Sequence, residues 1–581
     1  MLPTTASVES ETVSKPTALD RQLIRLVRSP LVVAALCIVL GIGVRLHGLD
    51  RAYTSDEGYW LQRTVRFGDA LLNGNWVGTA RSGHPGVTVM WVGLLGIGPS
   101  QIHAYAGEYA VSAATLEAVP GAERLLSAGR AAVAVVAAVL LGLAVLLAGR
   151  LLGTAGLLGG ALLALDPYTI GMTRLLHVDS LLTPLLLVSV LAGLVYWLGG
   201  RHWSLLVLSA VSGGLALLTK APAITLVPFF GLVWLVVGHP WAGGWRAISR
   251  AWLAGLAWVT LAVAVYVALW PVLWVWPVYT IVAVAKFAVT IGGAPHLWPN
   301  YFLGQPTSGD PGLLFYPVAT LLRLGPVATV GLVLLAVLAA GRRLGSRAAD
   351  DTDMAVEPND APDRDGVGGG TVLWLLVFAI VFADVMAIGS KKFDRYMLPA
   401  LAVLTILGGV GIWALARMLT GRLAAMVVLL ALLGQGYWLL SAHPYPIAAY
   451  NPLFGGIGTA RQAIMVGWGE GLDQTAAFLN RLPNARQLTV STQYHHVLRP
   501  LFVGRTVRVP STQTVDYYVV YVNMVQRNTV PIPVRAAMAS TGPVFTATVD
   551  GEPFAWVYRG PFQIASTRDV PGEELDDGDD N

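Results

Sequence analysis

Apolar runs recur along this chain at intervals too short for any soluble fold to absorb. They cover residues 31–44, 131–148, 151–165, 181–198, 203–218, 221–237, 251–270, 327–340, 371–388, 397–416 and 423–440. Short loops separate half of them, the pattern of a polytopic α-helical membrane protein with about 11 transmembrane helices. The composition agrees: 55% of residues are hydrophobic and 12% charged, against roughly a quarter charged in soluble domains. Several runs fall short of the roughly 20 residues a span needs, so their ends must draw on flanking residues. The run Val87–Ile97 is too short to cross and is expected to be re-entrant or interfacial. The many glycines and prolines, which would suggest disorder in a polar chain, are tolerated in membrane helices. A single cysteine, Cys37, excludes an intrachain disulfide and a cysteine zinc site. The net charge of +4 gives no sign of nucleic acid as a partner.

Arginines orient the bundle. Arg21, Arg25 and Arg28 precede the first run, which lacks a cleavage site and reads as a retained helix. With them on the cytoplasmic side, the alternation of spans puts Arg150, Arg201, Arg246, Arg250, Arg342, Arg343, Arg347, Arg417 and Arg422 on that side too. Residues 46–130, 166–180, 271–326 and 389–396, and the tail after Ser441, then face outward. The expected organisation is a disordered cytoplasmic stretch at 1–20, a transmembrane domain at 21–441 and an extracytoplasmic domain at 442–581. Within the transmembrane part, 347–370 is acidic and rich in glycine and proline, a flexible cytoplasmic linker. The tail shows helical spacing at 471–482 and strand-like segments at 487–492, 517–522 and 544–549, which predicts a small α/β domain. A plasma-membrane, multi-pass location follows from this layout.

The polar residues that a membrane protein keeps at a cost gather on the outward side. The first loop carries Asp56, Glu57, Arg63, Arg66 and His84, and the second carries Asp166, Arg174, His177 and Asp179. Lys220 joins two spans, and a later loop carries Lys391, Lys392, Asp394, Arg395 and Tyr396. A carboxylate can take the proton of an attacking hydroxyl, and cations can hold a phosphate leaving group. A lipid-linked donor explains why such groups sit at the bilayer surface, because its buried tail supplies binding energy far from the reacting carbon.

Each of these residues has a plainer reading. Asp56 could cap the following helix, and Asp179 the span that begins at Leu181. His84-Pro85 could be a loop turn. Lys391 and Lys392 could snorkel to the interface, and Arg395-Tyr396 could be an ordinary interface pair. Lys220 resists such a reading, since a lysine between apolar spans needs an anion or water. Trp270, Trp274, Trp276 and Trp298 are expected in an interfacial belt rather than stacked on sugar.

Four segments together resemble the GT-C-fold glycosyltransferases that use polyprenyl-phosphate-linked sugars, and in particular the protein O-mannosyltransferases and bacterial aminoarabinose transferases of the glycosyltransferase family 39 kind. They are Asp56-Glu57-Gly58-Tyr59-Trp60, Gly83-His84-Pro85-Gly86, the stretch from Arg174 to Asp179, and Thr219-Lys220 with 391–399. The resemblance covers residues 21–450 in layout. It implies an inverting transfer outside the cytoplasm, with Asp56, Glu57 and Asp179 as the catalytic carboxylates. It implies that His84, Arg174, His177, Lys220, Lys391, Lys392, Arg395 and Tyr396 hold the donor and its phosphate. The chain departs from the mannosyltransferase pattern where Gly86 replaces the second proline of His-Pro-Pro. The tail lacks β-trefoil features, and Gly467-Trp468-Gly469-Glu470-Gly471 is similar to bacterial members. No cofactor is expected to be required, although Asp56, His177 and Asp179 could ligate a divalent metal if their loops converge. The expected partners are a polyprenyl-phosphate sugar, the bilayer and an acceptor that could be protein, lipid or glycan. Two further readings stand beside this one: a transporter or flippase for a lipid-linked sugar, and an inactive envelope-assembly protein. A transporter would place its charges near the bilayer midplane, whereas these flank the spans.

Overall fold

A computed structural model of the chain describes residues 29–111, 121–239, 244–296, 298–350, 369–508 and 511–564. The expected disordered stretch 1–20 lies outside them, as does most of the expected linker 347–370, whose edges at 347–350 and 369–370 are helical. Among the described residues, six helices are long and apolar enough to cross a membrane: Ala122–Ala164, Val178–Leu198, Trp245–Ala268, Gly369–Ile388, Asp394–Arg417 and Gly421–Ser441. A seventh comes from Phe315–Arg323 with Pro326–Gly341, which bend by 112° at their junction. The remaining apolar runs form shorter helices, including Pro30–Leu46 and Trp203–Thr219. The protein is therefore a multi-pass helical membrane protein, with fewer full-length spans than the 11 expected.

Part of that difference is one hinge. The runs 131–148 and 151–165 lie in a single 43-residue helical stretch broken at Gly153, whose φ of 62° and ψ of −143° are not helical. The chain folds back there: a Cβ on Gly160 would lie 3.0 Å from Val145 Cα, and one on Gly156 would overlap the Ala148 carbonyl. The sequence thus marks two antiparallel arms joined by one residue, a conformation that glycine alone adopts cheaply.

Val178–Leu198 is the central helix. It is apolar all round and buried over nearly its whole length, as such a helix must be. Ala122–Ala164 and Trp203–Thr219 pack on it. Leu398–Arg417 closes the core through small residues: Gly408 and Gly411 meet the backbone of Ala328 and Gly331, and Gly409 meets Gly159, so closely that a methyl group would collide at each. Gly421–Ser441 and Trp245–Ala268 sit at the rim and leave most of their apolar surface uncovered, where a bilayer would cover it. Eight of the eleven residues of Val87–Ile97 are buried, against the Ala122–Ala164 helix.

The tail forms a five-stranded mixed sheet. Thr489–Ser491 pairs parallel with Arg505–Val507 and with Ser511–Tyr521, while Glu552–Ile564 runs antiparallel between Ser511–Tyr521 and Phe545–Val549. The helix Leu472–Asn480 packs on the last two strands of this sheet. The tail is not a detached unit. Buried residues from Tyr53 through the spans to Ile564 belong to one continuous apolar core.

Candidate functional site

Helix ends bring the polar residues together at one end of the bundle. Glu57–Leu72 and Val178–Leu198 begin there, Trp203–Thr219 ends there at Lys220, and Leu398–Arg417 begins just after Arg395. Helix dipoles favour this placement, with Asp179 in a first turn and Lys220 at a C-terminus. The helix that starts at Val178 runs away from this end, so Arg201 lies at the opposite end of the bundle, as does Arg417 by the same logic.

Asp56 does not cap its helix; its side chain makes no capping hydrogen bond. Its Oδ2 instead lies 3.6 Å from His177 Nε2 and 3.7 Å from Arg395 Nη2. His177 is the cap of the next helix, where its Nδ1 accepts the Asp179 N–H at 3.2 Å. A neutral His177 therefore carries its proton on Nε2, facing Asp56. Asp179 Oδ1 accepts from Lys220 Nζ at 2.6 Å, and its Oδ2 lies 3.6 Å from Arg395 Nε. Neither that Oδ2 nor that Nε has a hydrogen-bond partner within the protein, although both are buried. Arg395 is caged by rings, with Phe393 at 4.3 Å, Trp468 at 4.5 Å and Tyr396 at 5.6 Å. Lys220 lies 4.2 Å over the Tyr396 ring. Burial alone would raise the Asp56 pKa, but His177 and Arg395 outweigh it and hold the carboxyl well below the usual carboxylate range.

Two cavities meet at this cluster. One, of about 260 Å³, is lined by Trp60, Arg63, His84, His177, Lys220 and Tyr396. The other, of about 560 Å³, extends under the tail to Trp298, Glu470, Tyr494, Arg508 and Arg527. Asp56, Tyr59, His296, Lys391, Phe393 and Arg395 line both. Burial, Lys220 and Lys391 lower the His84 pKa to about 3, so its imidazole is neutral beside these cations. Lys391 is itself lowered by burial and by Arg395.

Gly86 now has a physical account. It sits at φ 61°, closed to proline, and a Cβ there would overlap the Trp60 ring. Its N–H donates to the Thr219 carbonyl at 3.1 Å, which ties the His84 turn to the residue before Lys220.

Three expected site residues lie elsewhere. Glu57 points into the protein, where Arg130 contacts both carboxylate oxygens and Thr54 and the Leu176 N–H donate to them. Arg174 donates to the His47 carbonyl at 2.8 Å, in a small pocket behind the Asp56 loop. Lys392 is buried against Asp310 at 2.7 Å, unlike its neighbour Lys391. The sequence reading also overlooked Arg130, Trp468, Glu470 and Arg527. Arg130 stood in plain view as a lone cation beside an apolar run, and Trp468 stood between alternating glycines.

Asp56, His177 and Asp179 converge. Arg395 pairs with both carboxylates, Lys220 with Asp179, and His177 Nδ1 is engaged by a backbone N–H. Among the described residues no group of three His, Cys, Asp or Glu side chains is arranged to hold an ion.

Residues 123–274 match the family model described as dolichyl-phosphate-mannose-protein mannosyltransferase. They include the central helix, His177, Asp179 and Lys220. Of the segments that carry the resemblance read from the motifs, 174–179 and Thr219-Lys220 fall within this match, whereas Asp56, His84 and 391–399 lie outside it. Among solved structures, the chain is similar to ArnT from Cupriavidus metallidurans bound to undecaprenyl phosphate, with 14% identity, 90% of this chain and 97% of that chain covered and a TM-score of 0.43. It is also similar to the S. cerevisiae protein O-mannosyltransferase Pmt1-Pmt2 complex bound to the sugar donor, with 14% identity, coverage of 50% and 42% and a TM-score of 0.32. The Archaeoglobus fulgidus oligosaccharyltransferase AglB, in complex with an inhibitory peptide and a dolichol-phosphate, gives 13% identity, coverage of 85% and 70% and a TM-score of 0.38. No curated protein matches the sequence.

Proposed function

We propose that the protein moves one sugar from a polyprenyl-phosphate-linked donor to the hydroxyl of an acceptor, with inversion, on the extracytoplasmic side of the plasma membrane. The observation that carries this reading is the position of Asp56 at the junction of two cavities that share Lys391 and Arg395. The smaller one is cationic, with Arg63, Lys220, Lys391 and Arg395, and it suits a phosphate beside rings on which a sugar can stack. The larger one opens towards the tail, where Arg323, Arg508 and Arg527 are offset in part by Asp394 and Glu470, and it has room for an acceptor. The family described by the matched model names a phosphate-linked lipid donor, which agrees with the cationic cavity.

In the proposed step the acceptor oxygen forms a bond to the anomeric carbon from the face opposite the phosphate. The bond from that carbon to the phosphate oxygen breaks, and polyprenyl phosphate leaves with the electron pair. The acceptor proton passes to Asp56. A carboxyl held so low is a weak base, so it takes the proton late, once the attacking oxygen has become acidic by bonding to carbon. Arg395 and Lys391, which line both cavities, stabilise the charge that grows on the leaving phosphate. Asp179, held by Lys220, draws Arg395 by charge and acts through it. The sidedness rests on the arginine pattern of the sequence, and no step needs a metal.

The test is incubation of purified protein with radiolabelled polyprenyl-phosphate hexoses and native membranes, beside Asp56→Asn. Label leaving the lipid for a new product in wild type alone supports the transferase. Saturable donor binding without turnover by wild type would instead favour transport of the same lipid.

A further inference from the structure

Five residues of the tail reach back across the bundle to the reaction centre. In 467–471 every second residue is a glycine at positive φ: Gly467 at 90°, Gly469 at 130° and Gly471 at 84°. The fold around them is tightly held. Trp468 N–H donates to Glu470 Oε2 at 2.5 Å, and Gly469 N–H donates to the Tyr521 hydroxyl at 2.9 Å. That hydroxyl donates in turn to the Glu470 carbonyl at 3.1 Å. A Cβ on Gly469 would overlap the carbonyl oxygen of Tyr53, three residues before Asp56. Between these glycines the Trp468 indole lies edge-to-face with His177 at 5.2 Å and 4.5 Å from the Arg395 guanidinium.

We propose that Trp468 is a positioning residue, by which the docked tail sets the two groups that face Asp56. His177 is held between Trp468 and Trp60, whose ring lies 6.1 Å away on its other contact. Arg395 needs the same support. Its ion pairs with Asp56 and Asp179 are 3.7 and 3.6 Å long, beyond hydrogen-bond reach, so they draw the guanidinium without fixing its orientation. The indole face supplies what the carboxylates do not, and it leaves the N–H groups of Arg395 directed at the cavities. The tail is then part of the transfer machinery, because the loop that aligns Arg395 also contributes Gly467, Trp468 and Glu470 to the lining of the larger cavity.

This inference rests on the transferase reading, and its test separates the two. Trp468→Leu fills the space without a π face, and Trp468→Phe keeps a smaller one. In the full-length protein Trp468→Leu should lower kcat about tenfold with the donor KM changed less, and Trp468→Phe should recover most of the loss, as expected for a partly desolvated cation–π contact. Independently of turnover, the arginine reagent phenylglyoxal should label Arg395 faster in Trp468→Leu than in wild type, as read by peptide mass spectrometry at equal melting temperature. Wild-type labelling and turnover in Trp468→Leu would overturn the positioning role. Faster labelling of Arg395 in a protein whose wild type turns over no donor would keep the positioning contact and remove the transferase reading instead.

Discussion

Asp56 and Glu57 are neighbours in the chain and opposites in the fold. The Glu57 carboxylate is fully buried and saturated, with Arg130, Thr54 and the Leu176 N–H on its two oxygens. Asp56 keeps 37% of its side chain exposed, and its charged neighbours stand off at 3.6 and 3.7 Å. A satisfied buried pair holds structure, and breaking it leaves an uncompensated charge. A loosely paired carboxylate between two cavities, ringed by buried polar atoms without partners, is a site waiting for a ligand. The two roles of this acidic dipeptide are told apart by saturation, which residue type alone does not reveal.

The sharpest way to break the comparison is to neutralise each carboxylate in turn. Asp56→Asn should lower transfer by about 10²–10⁴-fold, the range of a lost general base, with the melting temperature unchanged. Donor turnover at the wild-type rate would end the base assignment. Glu57→Gln should do the reverse: stability falls by about 3–5 kcal/mol as Arg130 loses its charged partner, read as reduced yield of folded protein and a lower melting temperature. A stable Glu57→Gln protein that has lost only turnover would return Glu57 to the chemistry.

Asp166 tests an intermediate case. It caps Pro167–Met172 by accepting the Thr169 N–H at 2.7 Å, and burial raises its pKa to about 6. The folded chain thus holds this proton in a window where the unfolded chain has lost it. Stability should fall as pH rises from about 4 to about 6 and stay lowered above that. Asp166→Asn keeps the cap and removes the cost, so it should raise stability at pH 7.5 by about 2–3 kcal/mol at most, read as a higher melting temperature, and scarcely change it at pH 4. An equal gain at both pH values would refute the linkage. The smallest expected effect is that of chelation. With Arg395 paired to both carboxylates and Lys220 to Asp179, excess EDTA should leave turnover within about twofold, and a loss restored by a divalent ion would show that the cluster rearranges to bind one.

Membrane character was legible because apolar length is a property of the chain itself. So was the gathering of Asp56, His84, His177, Asp179, Lys220, Lys391, Arg395 and Tyr396, since alternating spans place their connecting loops at alternate ends. What the sequence could not show was direction. Lys391 and Lys392 look alike as letters, yet one faces the cavities and the other turns to Asp310, because adjacent side chains on an extended segment point opposite ways. Glu57, in the first turn of its helix, and Arg174, in a turn, likewise spend their side chains on Arg130 and the His47 carbonyl. Trp468 was hidden by distance: nothing local says that a residue so far along the chain returns to His177. The span count was blurred by Gly153, where one residue does the work of a loop.

That one-residue hinge bears on how the protein is made. Two apolar arms joined by a single glycine have no connecting segment long enough to wait in water while one arm crosses alone. They must enter the bilayer together, as one hairpin, with Arg150 left at its tip. A side chain at Gly153 would then act during insertion, lowering the amount of protein that reaches the membrane while each molecule that arrives works at the normal rate.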